Sequence, residues 1–361
     1  MKILMVTCSM DRGGKERQIL ALIKGLIGKG FSIELLILSR KVGYKEIYKL
    51  PIKIHYANKR IPLDVFVLAK TFRLIKRYRP DIVHAWDSAA VVHSLVPSKM
   101  LGVSFVNGMI RSSPTKTTFP TKEWFYKKIL MGYQDALVAN SRAGLRSYGK
   151  ADSGQVIYNG YDQNRIAKKD KGNDISGIQL EDRVVAMISA FTTKKDYDTF
   201  LKAATVILSE YANVTFLAIG DGPLLHKYRS EYENNKILFL GERSDVDKII
   251  PYVDIGILTC VSSWRGEGVP NALMEFMANA KPVIGTNSGG TCELIQNGIN
   301  GYIIEESDVN ALIKAVKRIL SNSTETTIVA NAAADTIRER FSLQIMVGKY
   351  VKLYQKLSKN S

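Results

Sequence analysis

The chain has 361 residues, 46% hydrophobic and 24% charged, a composition that excludes a disordered chain and a length that suits two domains better than one core. Its three cysteines, Cys8, Cys260 and Cys292, are too scattered for a disulfide framework or a zinc cluster and suit a reducing, cytoplasmic setting. No apolar run approaches the roughly eighteen residues of a membrane-spanning helix, and the formal net charge of +17 is one-sided: residues 1–165 hold 28 Lys and Arg against 11 Asp and Glu, residues 166–361 hold 23 of each.

The opening MKILMVTCSMD is too short in its apolar part for a signal-peptide core and reads as a first buried strand. Along the first half, strands are expected at Lys2–Thr7, Phe31–Leu38, Ile52–Tyr56, Ile82–His84, Ser104–Val106, Ala136–Ala139 and Gln155–Tyr158. Helices are expected between them at Lys15–Gly28, Asp64–Arg79, Ser88–Leu101, Lys122–Met131 and Ser141–Gly149. Such alternation argues for a parallel sheet covered on both faces. Asn159–Ile178 turns polar and aperiodic, and reads as an interdomain linker.

The second half repeats the pattern. A strand at Arg183–Ser189 leads to a helix at Asp196–Glu210, and Val214–Ile219 runs into Gly220-Asp-Gly-Pro223. Lys236–Leu240, Ile255–Thr259 and Pro282–Gly285 are further short apolar runs, before helices at Val309–Leu320 and Thr326–Phe341 and an amphipathic stretch at Leu343–Leu357. Open parallel sheets bind ligands at the carboxyl ends of their strands. That singles out the loops Ser9–Gly14, Phe191–Lys195, Gly220–Pro223, Thr259–Gly268 and Ser288–Gly290.

The densest chemistry lies in Glu267-Gly-Val-Pro-Asn-Ala-Leu-Met-Glu275. Gly268 allows a tight turn, and Pro270 suits the first helical position, where a missing N–H costs nothing. The helix start offers N–H groups and partial positive charge to a phosphate. A carboxylate beside a phosphate would repel it, so Glu267 and Glu275 suit sugar or ribose hydroxyls instead. Acids at a helix start are ordinarily solvated residues. Glu275, however, stands among Ala272, Leu273, Met274, Phe276, Met277 and Ala278, where a solvated acid is less expected.

This segment resembles the signature of the retaining glycosyltransferases of family 4, which opens on Glu-Gly-x-Pro-Asn, carries a second Glu and closes on Pro-Val-Ile. The loop Ser9–Arg17, with Gly13, Gly14 and Glu16, is similar to the family's Gly-Gly-x-Glu-Arg start; it lacks the third glycine of a dinucleotide fingerprint. Aligned on Asp198, Lys195 falls on the family lysine that contacts the donor diphosphate. The family arginine position holds Ala190, so Arg265 or Lys194 is a candidate replacement. Gly220 and Gly222 match the family's Gly-x-Gly-Pro loop, Glu242 and Arg243 a turn near the nucleotide base, and Ser263 is a further hydroxyl for phosphate. Where many members carry a histidine, in the loop after the fourth strand, this chain has Asn107, with Arg111 following.

The resemblance implies an α/β GT-B fold, two Rossmann-like doubly wound domains facing a central cleft. It implies an acceptor-binding domain over 1–162, a nucleotide-sugar-binding domain over 163–341, and a C-terminal helix over 342–361 crossing back to the first. The implied activity moves a sugar from a nucleotide-sugar to a hydroxyl acceptor with retention. The expected acceptor is a lipid-linked or membrane-associated glycan in cell-surface polysaccharide synthesis. No metal and no cofactor beyond the donor is expected; His55, His84, His93 and His226 show no metal-ligand spacing. Lys195 would stabilise the leaving diphosphate, Glu267 would hold sugar hydroxyls and Glu275 the ribose, with Gly268, Val269, Pro270 and Asn271 completing the donor site. Glu267 as a covalent nucleophile stays open.

A sugar-nucleotide epimerase of the same fold is the rival enzyme, but it needs acid and base groups at the sugar, and the amide of Asn107 exchanges no proton near neutral pH. A nucleic-acid-binding protein would suit the basic half, yet no zinc motif or recognition-helix pattern accompanies it. The basic half suits an anionic membrane surface better, with the protein peripheral on its cytoplasmic face. Basic clusters stand at Lys70, Arg73, Lys76, Arg77 and Arg79, and at Lys122, Lys127 and Lys128 beside Trp124, Phe125 and Tyr126, the mixture found in interfacial segments.

Overall fold

The computed structural model describes residues 1–113, 131–168, 182–261 and 266–359. The basic-aromatic cluster at 122–128, the helix expected over it, and Ser263 and Arg265 lie outside the described residues. The described residues up to Gly160 and from Leu343 onward form one compact unit; those within Tyr161–Ser342 form the other.

In the first unit seven strands make one parallel sheet: β1 (Lys2–Thr7), β2 (Ser32–Ile37), β3 (Lys53–Tyr56), β4 (Ile82–Ala85), β5 (Ser104–Ile110), β6 (Ala136–Ala139) and β7 (Gln155–Val156), in the order β3-β2-β1-β4-β5-β6-β7. From Ile3 to Thr7 every β1 side chain is buried, which is why this strand reads as an unbroken apolar run rather than an alternation. The helices begin where the sequence offers caps. Asp64 accepts from the N–H groups of Phe66 and Val67 at the head of α2 (Val65–Tyr78), and Arg79 closes that helix at φ 50°. Asp87 caps α3 (Ser88–Met100), and Ser141 caps α4 (Arg142–Ser147).

The helix Leu343–Ser358 belongs to this unit. Its Met346, Val347, Tyr350, Leu353 and Tyr354 join the core formed by β1, β2 and the helix α1 (Gly14–Ile27). The hydroxyl of Tyr354 lies 2.7 Å from Nδ1 of His84 on β4. Burial, together with nearby Arg111, holds the His84 imidazole well below its ordinary pKa. It is a neutral core group.

Two expectations change here. The strand expected to stop at Val106 continues to Ile110, with an irregular register between Asn107 and Ile110. Asn107 is therefore a buried ladder residue beside Ala85, not a loop residue, because extended backbone carries the chain past it before the pairing breaks at Gly108. The linker expected from Asn159 also does not begin there. Asn159 and Tyr161 are buried, and Gln18 grips Gly160 by accepting from its N–H at 2.9 Å and donating to its carbonyl at 3.1 Å.

The second unit holds a six-stranded parallel sheet: β8 (Arg183–Ile188), β9 (Val214–Ile219), β10 (Ile237–Gly241), β11 (Ile255–Leu258), β12 (Val283–Thr286) and β13 (Tyr302–Ile304), ordered β10-β9-β8-β11-β12-β13. The short edge strand β13 and a helix at Leu225–Tyr232 escape the sequence pattern, and the helix expected from Thr326 starts at Ser323, capped by Asn322. In each sheet the strand order reverses beside the first strand. Loops leaving the carboxyl ends there are the ones positioned to meet a ligand.

The loop after β9 shows why glycine is required. Gly220 sits at φ 148° and Gly222 at φ 153°, a region essentially closed to other residues. A methyl group on Gly220 would collide with the Ser189 carbonyl oxygen, and one on Gly222 would lie 2.5 Å from that of Phe191. These glycines press one loop against another, with Phe191 N donating to Asp221 O at 3.0 Å. Gly220→Ala is expected to destabilise the protein by about 1–3 kcal/mol. An unchanged urea midpoint would show that the loop shifts without cost.

Candidate active site

Lys195 is placed by its backbone. Asp196 N donates to Thr259 O, and Val261 N to Lys194 O, both at 3.0 Å, so the segment Lys194–Asp196 is stitched to the chain leaving β11. Asp196 then caps the helix Tyr197–Glu210 through Thr199 N. On the other side, Gly290 N donates to Glu267 O at 2.8 Å. A methyl on Gly290 would lie 2.5 Å from the Gly268 carbonyl carbon, so the Ser288–Gly290 loop holds Glu267 and Gly268 by close backbone contact.

These two supports bring the catalytic candidates together. Lys195 Nζ donates to Glu267 Oε1 at 2.5 Å, with Cys260 Sγ 3.6 Å away. The side chains are 16% and 25% exposed, so the pair is sheltered but not sealed from solvent. Burial works against the charge on Lys195, and the Cys260 sulfur and Glu267 carboxylate more than offset it, holding its pKa above the ordinary lysine value. Burial also pushes the Cys260 thiol up to about 12. Near pH 7 that thiol is neutral, so there the Glu267 carboxylate alone offsets the burial of the ammonium, and the sulfur adds to the raised lysine pKa only at the high pH where it ionises.

Glu275 is buried and stands 3.6 Å from Arg165 Nη2. Arg165 forks onto Asp247, at 2.6 and 3.1 Å, so one guanidinium serves two carboxylates. Its charge also lies over the Tyr161 ring, whose phenol burial pushes up to about 12. The helix carrying Glu275 spans Asn271–Ala278. Pro270 is its N-cap, with φ −79° and ψ 123°, not its first helical residue as expected, because the extended turn through Gly268 and Val269 reaches one residue further. Val269 and Pro270 are buried, and Asn271 is partly exposed. Arg243 is engaged by Asp245 at 2.7 and 2.8 Å, while Glu242 is exposed. Ala190 and Lys194 are exposed as well.

The first unit gathers a separate polar cluster after β1. Gly13 caps α1 and Gly14 begins it. Glu16 is buried, accepting from Ser9 Oγ at 3.2 Å. Lys15 Nζ reaches Glu16 at 3.1 Å and Asp87 at 2.7 Å, and Asp87 also accepts from Cys8 N and Thr7 Oγ1. Burial favours the neutral acid, but Lys15 and the Cys8 N–H hold Asp87 below the ordinary carboxylate range. Arg111 lies over the Trp86 ring at 4.2 Å and donates to Gly108 O.

Sequence reasoning missed Cys260, Arg165, Asp247, Lys15 and Asp87. Asp87 had a readable signal, an aspartate immediately before an alanine-rich helix. Arg165 had none, since it sits in an aperiodic polar stretch. Among the described residues, no three His, Cys, Asp or Glu side chains gather in a way that holds a metal ion.

Comparison with known proteins bears on this geometry. A galactosyltransferase of Escherichia coli, named for UDP-Gal and α-D-GlcNAc-diphosphoundecaprenol, is 24% identical over 81% of this chain and 79% of its own. The lipopolysaccharide core glycosyltransferase LpsE of Rhizobium meliloti is 22% identical over 94% and 95%. Among solved structures, Anabaena HepE with UDP and glucose superposes with a TM-score of 0.82, at 20% identity, covering 98% of this chain and 99% of its own; that likeness speaks to the fold alone. The family model Glycosyltransferase Family 4 matches residues 12–165 and Glycosyl transferases group 1 matches residues 168–336. With a doubly wound sheet in each unit and both models matched in succession, the chain belongs to the family 4 glycosyltransferases of the GT-B fold.

Proposed function

We propose that this glycosyltransferase moves a sugar from a nucleotide-sugar to a hydroxyl acceptor with retention and without a metal ion, working at the inner face of a membrane on a lipid-linked glycan of cell-surface polysaccharide synthesis. The observation that carries the reading is the Lys195–Glu267 pair at 2.5 Å, at the strand ends where a ligand is expected. As the bond from the anomeric carbon to the diphosphate breaks, negative charge grows on the departing oxygens. A pre-placed ammonium stabilises that charge more than the ground state. The departing diphosphate takes the acceptor proton, and the acceptor oxygen bonds to the face just vacated.

The pairing also bears on Glu267. A carboxylate neutralised at short range by an ammonium is a poorer nucleophile, which favours sugar-hydroxyl binding over a covalent intermediate. Glu275, oriented by Arg165, binds the ribose hydroxyls, and the N–H groups at the head of the helix Asn271–Ala278 face the phosphates. Glycine loops and the Glu242–Arg243 turn line the nucleotide side, while Gly13, Gly14, Glu16, Asn107 and Arg111 serve the acceptor unit. The names of the relatives support a uridine nucleotide and a membrane-bound acceptor as the first substrates to test.

The test is incubation with a panel of nucleotide-sugars and bacterial lipid extract, followed by mass spectrometry of the lipid and NMR of the new anomeric centre. A product carrying one added sugar in the donor's anomeric configuration is expected, at a rate unchanged by EDTA. Inverted configuration would overturn retention, loss of rate in EDTA would overturn metal independence, and transfer only to a soluble glycan would overturn the lipid acceptor.

A further inference from the structure

We propose that the turn Arg60–Asp64 and the first turn of α2 form the docking element of the first unit, inserting Ile61, Leu63, Val65 and Phe66 into an anionic lipid surface. The proposal rests on the membrane-linked acceptor proposed above and adds the place of contact. These four side chains fall within six consecutive residues, 61–66, and are 57%, 48%, 62% and 84% exposed. Large apolar side chains clustered on a surface mark an interaction site, whereas single ones do not.

The turn is held rather than floppy. Lys59 N donates to Leu38 O, and Arg60 N to Asp64 Oδ2 at 3.1 Å. Asp64 N donates to His93 Nε2 at 3.1 Å. Asp64 itself is buried, so its charge is turned inward, satisfied by the backbone N–H groups it caps. The core of this unit is already served by the opposite face of α2, where Val67, Leu74 and Ile75 are buried. Val65 and Phe66 are thus surplus to folding.

Charge selects the partner. Arg60, Lys70, Arg73, Lys76, Arg77 and Arg79 are exposed, and no acidic residue occurs between Asp64 and Asp81. Phe66, Lys70, Arg73 and Arg77 follow helical spacing and share one face, so the apolar tip leads directly into a basic strip. An apolar tip with a cationic flank is the arrangement of an interfacial helix on anionic headgroups. A second copy of the chain fits worse, because a two-fold contact would set this basic strip near its own image.

Vesicle partitioning of the full chain tests the idea. With phosphatidylglycerol–phosphatidylcholine vesicles, Phe66→Trp should show a blue-shifted emission quenched by lipids brominated in the acyl chain. Val65→Ser/Phe66→Ser should reduce partitioning at least tenfold, and Arg73→Glu/Arg77→Glu should erase the preference over pure phosphatidylcholine. All four side chains changed in these pairs are exposed, and a thermal melt checks that each variant folds. Undiminished partitioning of the serine pair, an unshifted tryptophan, or sedimentation showing a dimer that the serine pair dissolves would each overturn the proposal. Nucleotide-sugar affinity, measured by calorimetry without vesicles, reports separately on the donor reading: a chain that binds donor yet ignores vesicles loses only the docking element.

Discussion

Lys195→Ala is expected to lower turnover by about 10²–10³-fold, the loss typical of removing one pre-placed group that stabilises transition-state charge. The apparent donor constant should change far less, since the charge matters most once the diphosphate begins to leave. Steady-state kinetics at saturating acceptor separates the two. A variant with full turnover would show that another cation does this work, and Arg265 is the next residue to replace. The raised pKa of Lys195 keeps the ammonium through the whole neutral range, so no lysine limb should appear in the pH–rate profile below its ordinary value. For stability the sign is equally fixed. A lysine pKa raised on folding contributes stability that is complete below the unfolded value and is lost as pH rises through the folded one. Glu267→Gln keeps the shape of the pair but removes the carboxylate charge. The double variant should lose less than the two single losses multiplied, because the residues act on one another.

Glu275→Ala is expected to weaken nucleotide-sugar binding tenfold or more, because a hydrogen bond to a charged group contributes roughly 1.5–3 kcal/mol. The fold should survive, since Arg165 keeps its fork on Asp247. Arg165→Ala should weaken the same affinity while leaving the carboxylate in place, having removed the group that orients it. Calorimetry with the nucleotide-sugar reads both. Equal affinities for the wild type and Glu275→Ala would remove Glu275 from the donor site, and a normal affinity for Arg165→Ala would make that arginine structural only.

What the amino-acid pattern revealed follows from the range of the interactions involved. Runs such as Ile3-Leu-Met-Val6 and Val184-Val-Ala-Met187 are buried on both sides of a sheet, so their continuous hydrophobicity is a local signature. Asp64, Asp87, Ser141 and Asp196 cap helices through bonds to residues two or three positions on, so the helix starts there are legible to within a residue. The Glu267–Glu275 stretch was legible because a loop, a turn and a buried acid lie together in sequence. Asn107 was misplaced because nothing local says whether an extended chain keeps its pairing for a few more residues. Arg165 reaches Asp247 across 82 positions, and Lys195 meets Cys260 across 65. Contacts of that span leave no periodicity to detect.

The helix Leu343–Ser358 has a consequence for biosynthesis. Its apolar side chains complete the core built around β1 and α1, yet the ribosome delivers it only after all of Tyr161–Ser342. The described residues of the second unit all fall within Tyr161–Ser342, a stretch that can fold as it emerges. The first must wait, with Ile19, Ile23 and Leu26 lacking part of their cover, until contacts of very long loop length close. Chaperones would meet this protein as an early, sticky intermediate, and a ribosome stalled just short of Leu343 would carry a finished second unit and an unfinished first one.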